Sequence, residues 1–236
     1  MLQKLRVWTR AQRRARFAEF LPAQRPLRIV DLGGTVPFWR GWGLKPEDQL
    51  HITLINNHHI DTTAAGFGNQ GSQIVNRVFD ANDVTTKYLA SFDLIFSNSF
   101  LEHLDSRQAQ AHLAAKICDS GKPYFIQVPN KNSPVDPHFP TPLAPFFAIY
   151  PRSVQAALLT RSRLGSGAKS TDINDAMERM RFYNPLGLND MRTLFPVANF
   201  AIERPLGVPM SILAWRDNWP VAAANKNSAP PTAEVA

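Results

Sequence analysis

An apolar run, Leu27–Leu32, ends in two adjacent glycines within the segment Arg28-Ile-Val-Asp-Leu-Gly-Gly-Thr35. A backbone that leaves an extended run through paired glycines can turn sharply and approach a ligand with no side chain between them. Further along, short apolar runs alternate with helical stretches, the pattern of a parallel sheet covered by helices. The candidate strands are Leu27–Leu32, His51–Ile55, Ile74–Phe79, Phe92–Ser97 and Tyr124–Val128, with Phe200–Glu203 and Pro209–Trp215 closing the domain. Ligands of open α/β sheets bind beyond the carboxyl ends of the strands, which is where Gly33 and Gly34 fall. No Gly-Lys-Ser/Thr follows, so this is not a phosphate cradle. The glycine spacing and Pro37 also depart from a dinucleotide fingerprint. Asp31 would repel a pyrophosphate and suits a ligand bearing an amine or sulfonium cation.

At 236 residues, 44% hydrophobic and 19% charged, the chain has enough apolar material for one packed domain. Its net charge of +7 is concentrated at one end, where residues 1–28 hold eight Lys/Arg against the single acid Glu19. A nucleic-acid enzyme would spread such charge along its binding face, so nucleic acid is not the expected partner. Residues 2–20 read as an amphipathic helix with Leu5, Trp8, Ala11, Ala15 and Ala18 on one side and Arg6, Arg10, Arg13 and Arg14 opposite. That helix either packs on the domain with a solvated basic face or attaches to an anionic membrane surface. Its arginines exclude a secretory signal, and no apolar run is long enough to span a membrane. Cys118 stands alone, so no intrachain disulfide forms and a reducing, cytoplasmic setting is expected.

Asp105-x-x-Gln108 has the form of a capping box, followed by the apolar stripe Ala109, Leu113 and Ile117 and a stop at Gly121. Residues 129–150 carry prolines at 129, 134, 137, 140, 142 and 145, so they form a stiffened loop of the functional kind. Residues 151–162, 172–181 and Asn189–Phe195 look helical. The expected organisation is a basic helix over 1–26 and a domain over 27–216 with a substrate-cap insertion at 129–190. A frayed tail over 217–236 follows.

VDLGGT, SFDLIFSNSFLEHL and FIQVPNKNSPVDPHFPTP, in this order and each at a strand's carboxyl end, resemble class I S-adenosylmethionine-dependent methyltransferases. More narrowly, the chain is similar to bacterial members with an S-N-S-x-x-E-H segment and a P-N-x-x-x-P-x-x-P-H loop, from about Leu27 to Trp215. The resemblance implies a Rossmann-like α/β fold, with a mostly parallel seven-stranded sheet flanked by helices. It implies S-adenosylmethionine as cofactor and S-adenosylhomocysteine as product. Asp31, Gly33 and Gly34 match the motif lying against the methionine part. Asn56 stands where the family usually has an acid gripping the ribose, and Asn57 is placed to share that role. Asp80 and Ala81 match the adenine-contacting step. Ser97 and Asn98 match the segment beneath the reacting methyl.

Each position also has a purely local reading: Asp31 as a turn-holder, Gly33-Gly34 as an ordinary turn, and Asp80, Ser97 or Asn98 as helix N-caps. For an oxygen nucleophile a general base would help, and the candidates are His138 and His103, with Asp136 orienting. No metal set is expected, because the neighbouring histidines of Asn57-His58-His59-Ile-Asp61 point apart and lack a spaced third ligand. Phe139, Phe146, Phe147 and Tyr150 either cover a substrate or plug the loop onto the core. The implied activity is O-methylation of a small-molecule or glycan acceptor, the glycan by association with similar bacterial proteins, in the cytoplasm or at the inner membrane surface. The alternatives are a non-catalytic cofactor-binding module, motivated by Asn56, and a nicotinamide-dependent oxidoreductase.

Overall fold

The structure is a computed structural model and describes residues 2–63, 71–136, 138–139, 144–161 and 169–220, with residues 2–9 as backbone only. Seven strands form one sheet: β1 (Leu27–Leu32), β2 (Leu50–Asn56), β3 (Gln73–Val78), β4 (Leu94–Asn98), β5 (Tyr124–Pro129), β6 (Asn199–Glu203) and β7 (Ser211–Arg216). Their order is β3-β2-β1-β4-β5-β7-β6, with β1 to β5 parallel and β7 antiparallel to both of its neighbours. Strand order reverses at β1, whose neighbours are β2 and β4, so the carboxyl end of β1 at Gly33 is the topological switch point of the sheet.

Successive residues of a strand face opposite ways, so each buried strand feeds two cores. On one face Ile29, Ile52, Phe96, Phe125 and Leu213 pack with Trp39 and Trp42 around helix α2 (Val36–Gly41) and with Phe17 of helix α1 (Leu2–Phe20). On the other face Val30, Leu32, Ile95, Ile126 and Ile212 pack against α3 (Thr86–Ala90), α4 (Arg107–Asp119) and α7 (Leu188–Leu194). A third, smaller core gathers Phe139 and Phe147 with α5 (Arg152–Arg161), α6 (Ile173–Arg179) and Tyr183. The loop aromatics therefore divide: Phe139 and Phe147 plug this small core, while Phe146 is exposed. Prolines 137, 140 and 142 and the tail from 221 onward lie outside the described residues.

Two readings of the sequence need correction. The helical wheel assigned the wrong face of α1 to the core: Ala11, Ala15 and Ala18 are exposed, and Phe17 and Arg13 are buried. The cause is size and pairing. The Phe17 ring lies 5.0 Å from Phe96 and 5.2 Å from Phe125, removing far more apolar surface from water than three methyl groups could. The Leu5, Trp8 and Arg6 side chains lie outside the described part of α1. Secondly, α4 is capped by Ser106, whose Oγ accepts from the Ala109 amide at 3.1 Å, rather than by Asp105. Before that helix, His103 ends a 3-10 turn, Leu101–His103, that is followed by extended backbone at Leu104. The sequence reading also passed over α2 and α3, each too short to show a period.

Arg13 joins α1 to the carboxyl edge of the sheet. Its guanidinium forms a buried bidentate pair with Glu203 at the end of β6, donating from Nε to Oε1 at 3.0 Å and from Nη2 to Oε2. Nη1 donates to Asn98 Oδ1 at 2.6 Å and Nη2 to Ser211 Oγ at 3.3 Å. Removing one member of a buried pair strands the other, which costs roughly 3–5 kcal/mol. Arg13→Ala is therefore expected to lower the urea unfolding free energy by about 3 kcal/mol, against less than about 0.5 kcal/mol for exposed Arg10→Ala. Equal effects of the two substitutions would show that the pair holds nothing.

Candidate active site

Asp31 ends on the α1 face of β1 and is fully enclosed. Trp39 Nε1 donates to its Oδ2 at 2.8 Å, while Oδ1 has no hydrogen-bond partner among the described residues. Burial pushes this carboxyl up to about 7, against the pull of the Trp39 bond. The two glycines next to it answer two different contacts. Gly33 has φ +76, and a Cβ there would sit 2.2 Å from the Phe100 ring; a Cβ on Gly34 would sit 1.9 Å from Asp31 Oδ2. The turn thus admits Asp31 beneath it and Phe100 against it, contacts that account for both glycines from within the chain.

The other positions matched to the cofactor motifs are distributed unevenly. Asn56, half-buried at the end of β2, donates from Nδ2 to Gly34 O at 3.0 Å and ties the glycine turn to the neighbouring strand. A carboxylate could not donate that bond, which gives the asparagine a structural reason to stand there. Asn57 is exposed and pairs with His58 Nδ1 at 2.9 Å. Asp80 is exposed and caps the turn Ala81–Asp83, accepting from the Asn82 amide at 2.8 Å, with Ala81 buried behind it. Ser97 is buried and donates to Leu32 O at 3.2 Å, while Asn98 accepts from Arg13. His58, His59 and Asp61 are exposed.

Beyond β4 the chain builds a second cluster. Glu102 lies in the 3-10 turn with 0% exposure, and neither of its carboxylate oxygens has a hydrogen-bond partner among the described residues. Its Oε1 is 3.9 Å from His103 Nε2 and 4.0 Å from His138 Nε2, and the two Nε2 atoms are 3.1 Å apart. Burial pushes the Glu102 carboxyl up to about 7, opposed by His138. Burial also holds the His103 imidazole below its ordinary value, helped by His138.

The cluster is held from behind. His103 Nδ1 lies 3.1 Å from Phe182 O, and His138 Nδ1 lies 3.6 Å from Asp136 Oδ1. Asp136 is itself fixed: its Oδ1 accepts from the His138 and Phe139 amides at 2.7 and 3.1 Å, and its Oδ2 accepts from the Tyr183 hydroxyl. Gln110 and Asn184 lock the turn that carries Glu102. Gln110 Nε2 donates to Leu101 O at 2.9 Å and Asn184 O at 2.8 Å, and the Asn184 amide donates to Glu102 O at 2.7 Å.

The structure therefore brings His103, His138 and Asp136 together, and joins Asp31, Gly33, Gly34 and Asn56 into one turn. It leaves Asn57 and Asp80 at the surface and Ser97 within the sheet. Glu102, Phe100 and Tyr183 were missed by the sequence reading. For Glu102 the signal was present in SNSFLEHL, but a single glutamate beside a histidine does not announce its burial.

Solved structures share this architecture. A S-adenosylmethionine-dependent methyltransferase of Mesorhizobium loti aligns at TM-score 0.53 and 13% identity over 85% of this chain and 95% of that one. A methyltransferase of Methanosarcina mazei gives 0.53 and 11% over 84% and 94%. A provisionally named O-methyltransferase of Nostoc punctiforme gives 0.52 and 11% over 91% of this chain, which spans 58% of its length. No protein-family model matches the sequence, nor does any protein of curated function. The fold is the Rossmann-like α/β fold of class I methyltransferases, a mostly parallel seven-stranded sheet flanked by helices.

The Asp31 assignment has a pH signature. A folded-state carboxyl raised to about 7 binds its proton more tightly than the unfolded chain, whose value is 3.8. Its contribution to stability is present below about pH 4 and is lost as pH rises to about 7. The ligand-free protein is expected to lose stability over that window, and Asp31→Asn to remove that part of the slope and to be the more stable form at pH 8. Parallel urea titrations of the two proteins at pH 5 and pH 8 check this; identical pH profiles would contradict it.

Proposed function

We propose that the chain is an S-adenosylmethionine-dependent methyltransferase acting on a hydroxyl of a small-molecule or glycan acceptor. The observation that carries the reading is Asp31 Oδ1, a buried oxygen with no partner among the described residues, set beside a glycine turn at the switch point of a methyltransferase-type sheet. An ionised carboxylate so enclosed is costly unless a cation meets it. The ammonium of the cofactor's methionine part is such a cation, and Asp31 with Gly33 and Gly34 would hold it. Asn56, its amide engaged by Gly34 O, keeps a carbonyl oxygen to accept from a ribose hydroxyl.

When bound, S-adenosylmethionine supplies a sulfonium methyl group for direct displacement. The residues of this chain align the acceptor, exclude water and take a proton. In-line geometry and exclusion of water are the main requirements of such a displacement. An oxygen nucleophile gains roughly 10²–10⁴-fold from a base. His138 and His103 stand at the carboxyl edge to take that proton, and Asp136 orients His138. Burial holds the His103 imidazole below its ordinary value, which favours its neutral form. Asp80 and Ala81 would border the adenine end. The exposed Arg10 and Arg14 of α1 would suit an acidic acceptor or the anionic inner face of a membrane. No described helix is long and apolar enough to cross one.

Calorimetry with S-adenosylmethionine tests the reading. One-to-one binding is expected, weakened about 10-fold or more in Asp31→Ala because a charge-assisted contact worth roughly 1.5–3 kcal/mol is lost. Binding of NAD instead would favour the oxidoreductase. Cofactor binding without turnover of any of a panel of hydroxylated acceptors would favour the non-catalytic module.

A further inference from the structure

Glu102, His103 and His138 bring a wholly buried carboxylate and two imidazoles into conflict at one point. A peptide carbonyl only accepts, so Phe182 O at 3.1 Å fixes the proton of His103 on Nδ1 and leaves Nε2 with its lone pair. The carboxylate of Asp136 lies 3.6 Å from His138 Nδ1, beyond hydrogen-bond reach, and sets a negative charge on that side of the second ring. His103 thus turns an imidazole lone pair towards His138 Nε2 at 3.1 Å, and Glu102 Oε1 approaches both nitrogens at 3.9 and 4.0 Å. A carboxylate oxygen and two imidazole nitrogens therefore converge on one point. The carboxylate among them is wholly buried, and neither of its oxygens has a hydrogen-bond partner among the described residues. A cation in the middle removes the conflict.

We propose that Glu102, His103 and His138 bind a divalent transition-metal ion, with zinc as the expected occupant, through one carboxylate oxygen and two Nε2 atoms. Among the described residues these three are the one group whose donor atoms all lie within 4.8 Å of one another. With bonds of about 2.0–2.1 Å, neighbouring ligands of a tetrahedral ion stand about 3.3 Å apart. The nitrogens already match that spacing, and the carboxylate needs a shift of about half an ångström. Imidazole nitrogen with carboxylate oxygen selects zinc and its first-row neighbours over magnesium or calcium, which prefer all-oxygen sets. Part of the outer shell is in place: Phe182 O stands 3.1 Å behind the His103 ring, and Asp136, held by Tyr183, lies 3.6 Å from Nδ1 of the other.

Three protein ligands leave at least one coordination position for water or a substrate oxygen. The same β4 loop carries Phe100, whose ring lies against Gly33, so the ion would sit beside the proposed cofactor crevice. There it would bind the acceptor hydroxyl and lower its pKa, replacing proton uptake by His103 and His138, a role that rests on the methyltransferase reading. Ion binding itself does not depend on that reading. Linear spacing concealed the set because residues 102–103 and 138 belong to separate loops.

Cobalt(II) titration of untagged, chelator-stripped full-length protein tests the proposal. A one-to-one visible d–d band is expected, displaced by zinc and absent in His103→Ala and His138→Ala. Glu102→Gln, which keeps shape and removes charge, should weaken binding. Asp136→Asn should weaken it by about 10–100-fold, as loss of an orienting outer-shell carboxylate does. Exposed His58→Ala is the control and should leave the band intact, with far-ultraviolet circular dichroism confirming that each variant folds. Absence of a saturable band in folded wild-type protein, or a band surviving in both histidine variants, would overturn the proposal and leave a proton-sharing histidine pair. Calorimetry of S-adenosylmethionine on the stripped protein separates the two readings. A cobalt band without cofactor binding refutes only the methyltransferase, and cofactor binding without a band refutes only the metal.

Discussion

Two fully buried carboxylates at the carboxyl edge of the sheet, Asp31 and Glu102, dominate the energetics of this end of the molecule. Ionised carboxylates without partners are among the most unfavourable groups to enclose, so each is either protonated or met by a cation. Burial raises both to about 7, which places the choice between the two states near neutral pH. The elements that create this situation are unremarkable in themselves. Trp39 on α2 closes over one carboxylate, and Leu101–His103, locked by Gln110 and Asn184, draws the other inward. What distinguishes the site is that, among the described residues, neither carboxylate forms a salt bridge with a lysine or arginine. Arg13, the buried cation on the same side of the sheet, is already committed to Glu203.

That division of labour connects fold and function. Arg13 holds α1 against β4, β6 and β7 and occupies Asn98, so the first helix forms part of the wall behind the crevice. The proline-rich loop after β5 returns through Asp136 and His138 and is anchored by Tyr183 in its own small core. His138 consequently stands on a supported loop rather than a free one, as positioning of a proton acceptor requires.

The sheet was legible from the residues. All seven candidate strands are present within two residues at either end, because buried parallel strands are continuous β-branched and aromatic runs. The double glycine marked the crevice, although its immediate causes, the Phe100 ring and the Asp31 carboxylate, are tertiary contacts no local pattern encodes. Helix α1 misled the wheel because alanines were counted as a face, whereas two phenylalanines and one paired arginine decide the orientation. Glu102 was invisible for a related reason. Its burial follows from Asn184, Gln110 and the return of the loop at His138, all of them distant in sequence. Asn56 looked like a departure from the usual acid, and its bond to Gly34 O supplies the physical reason.

The central claim is that Asp31 meets the cationic end of a sulfonium cofactor above the Gly33–Gly34 turn. A crystal structure grown with S-adenosylhomocysteine addresses it directly. The account predicts density in the crevice between β1, β2 and β4, with the amino group on Asp31 Oδ1 and a ribose hydroxyl at Asn56. Well-ordered crystals in which that crevice stays closed by Phe100, or in which the ligand lies elsewhere, would contradict it.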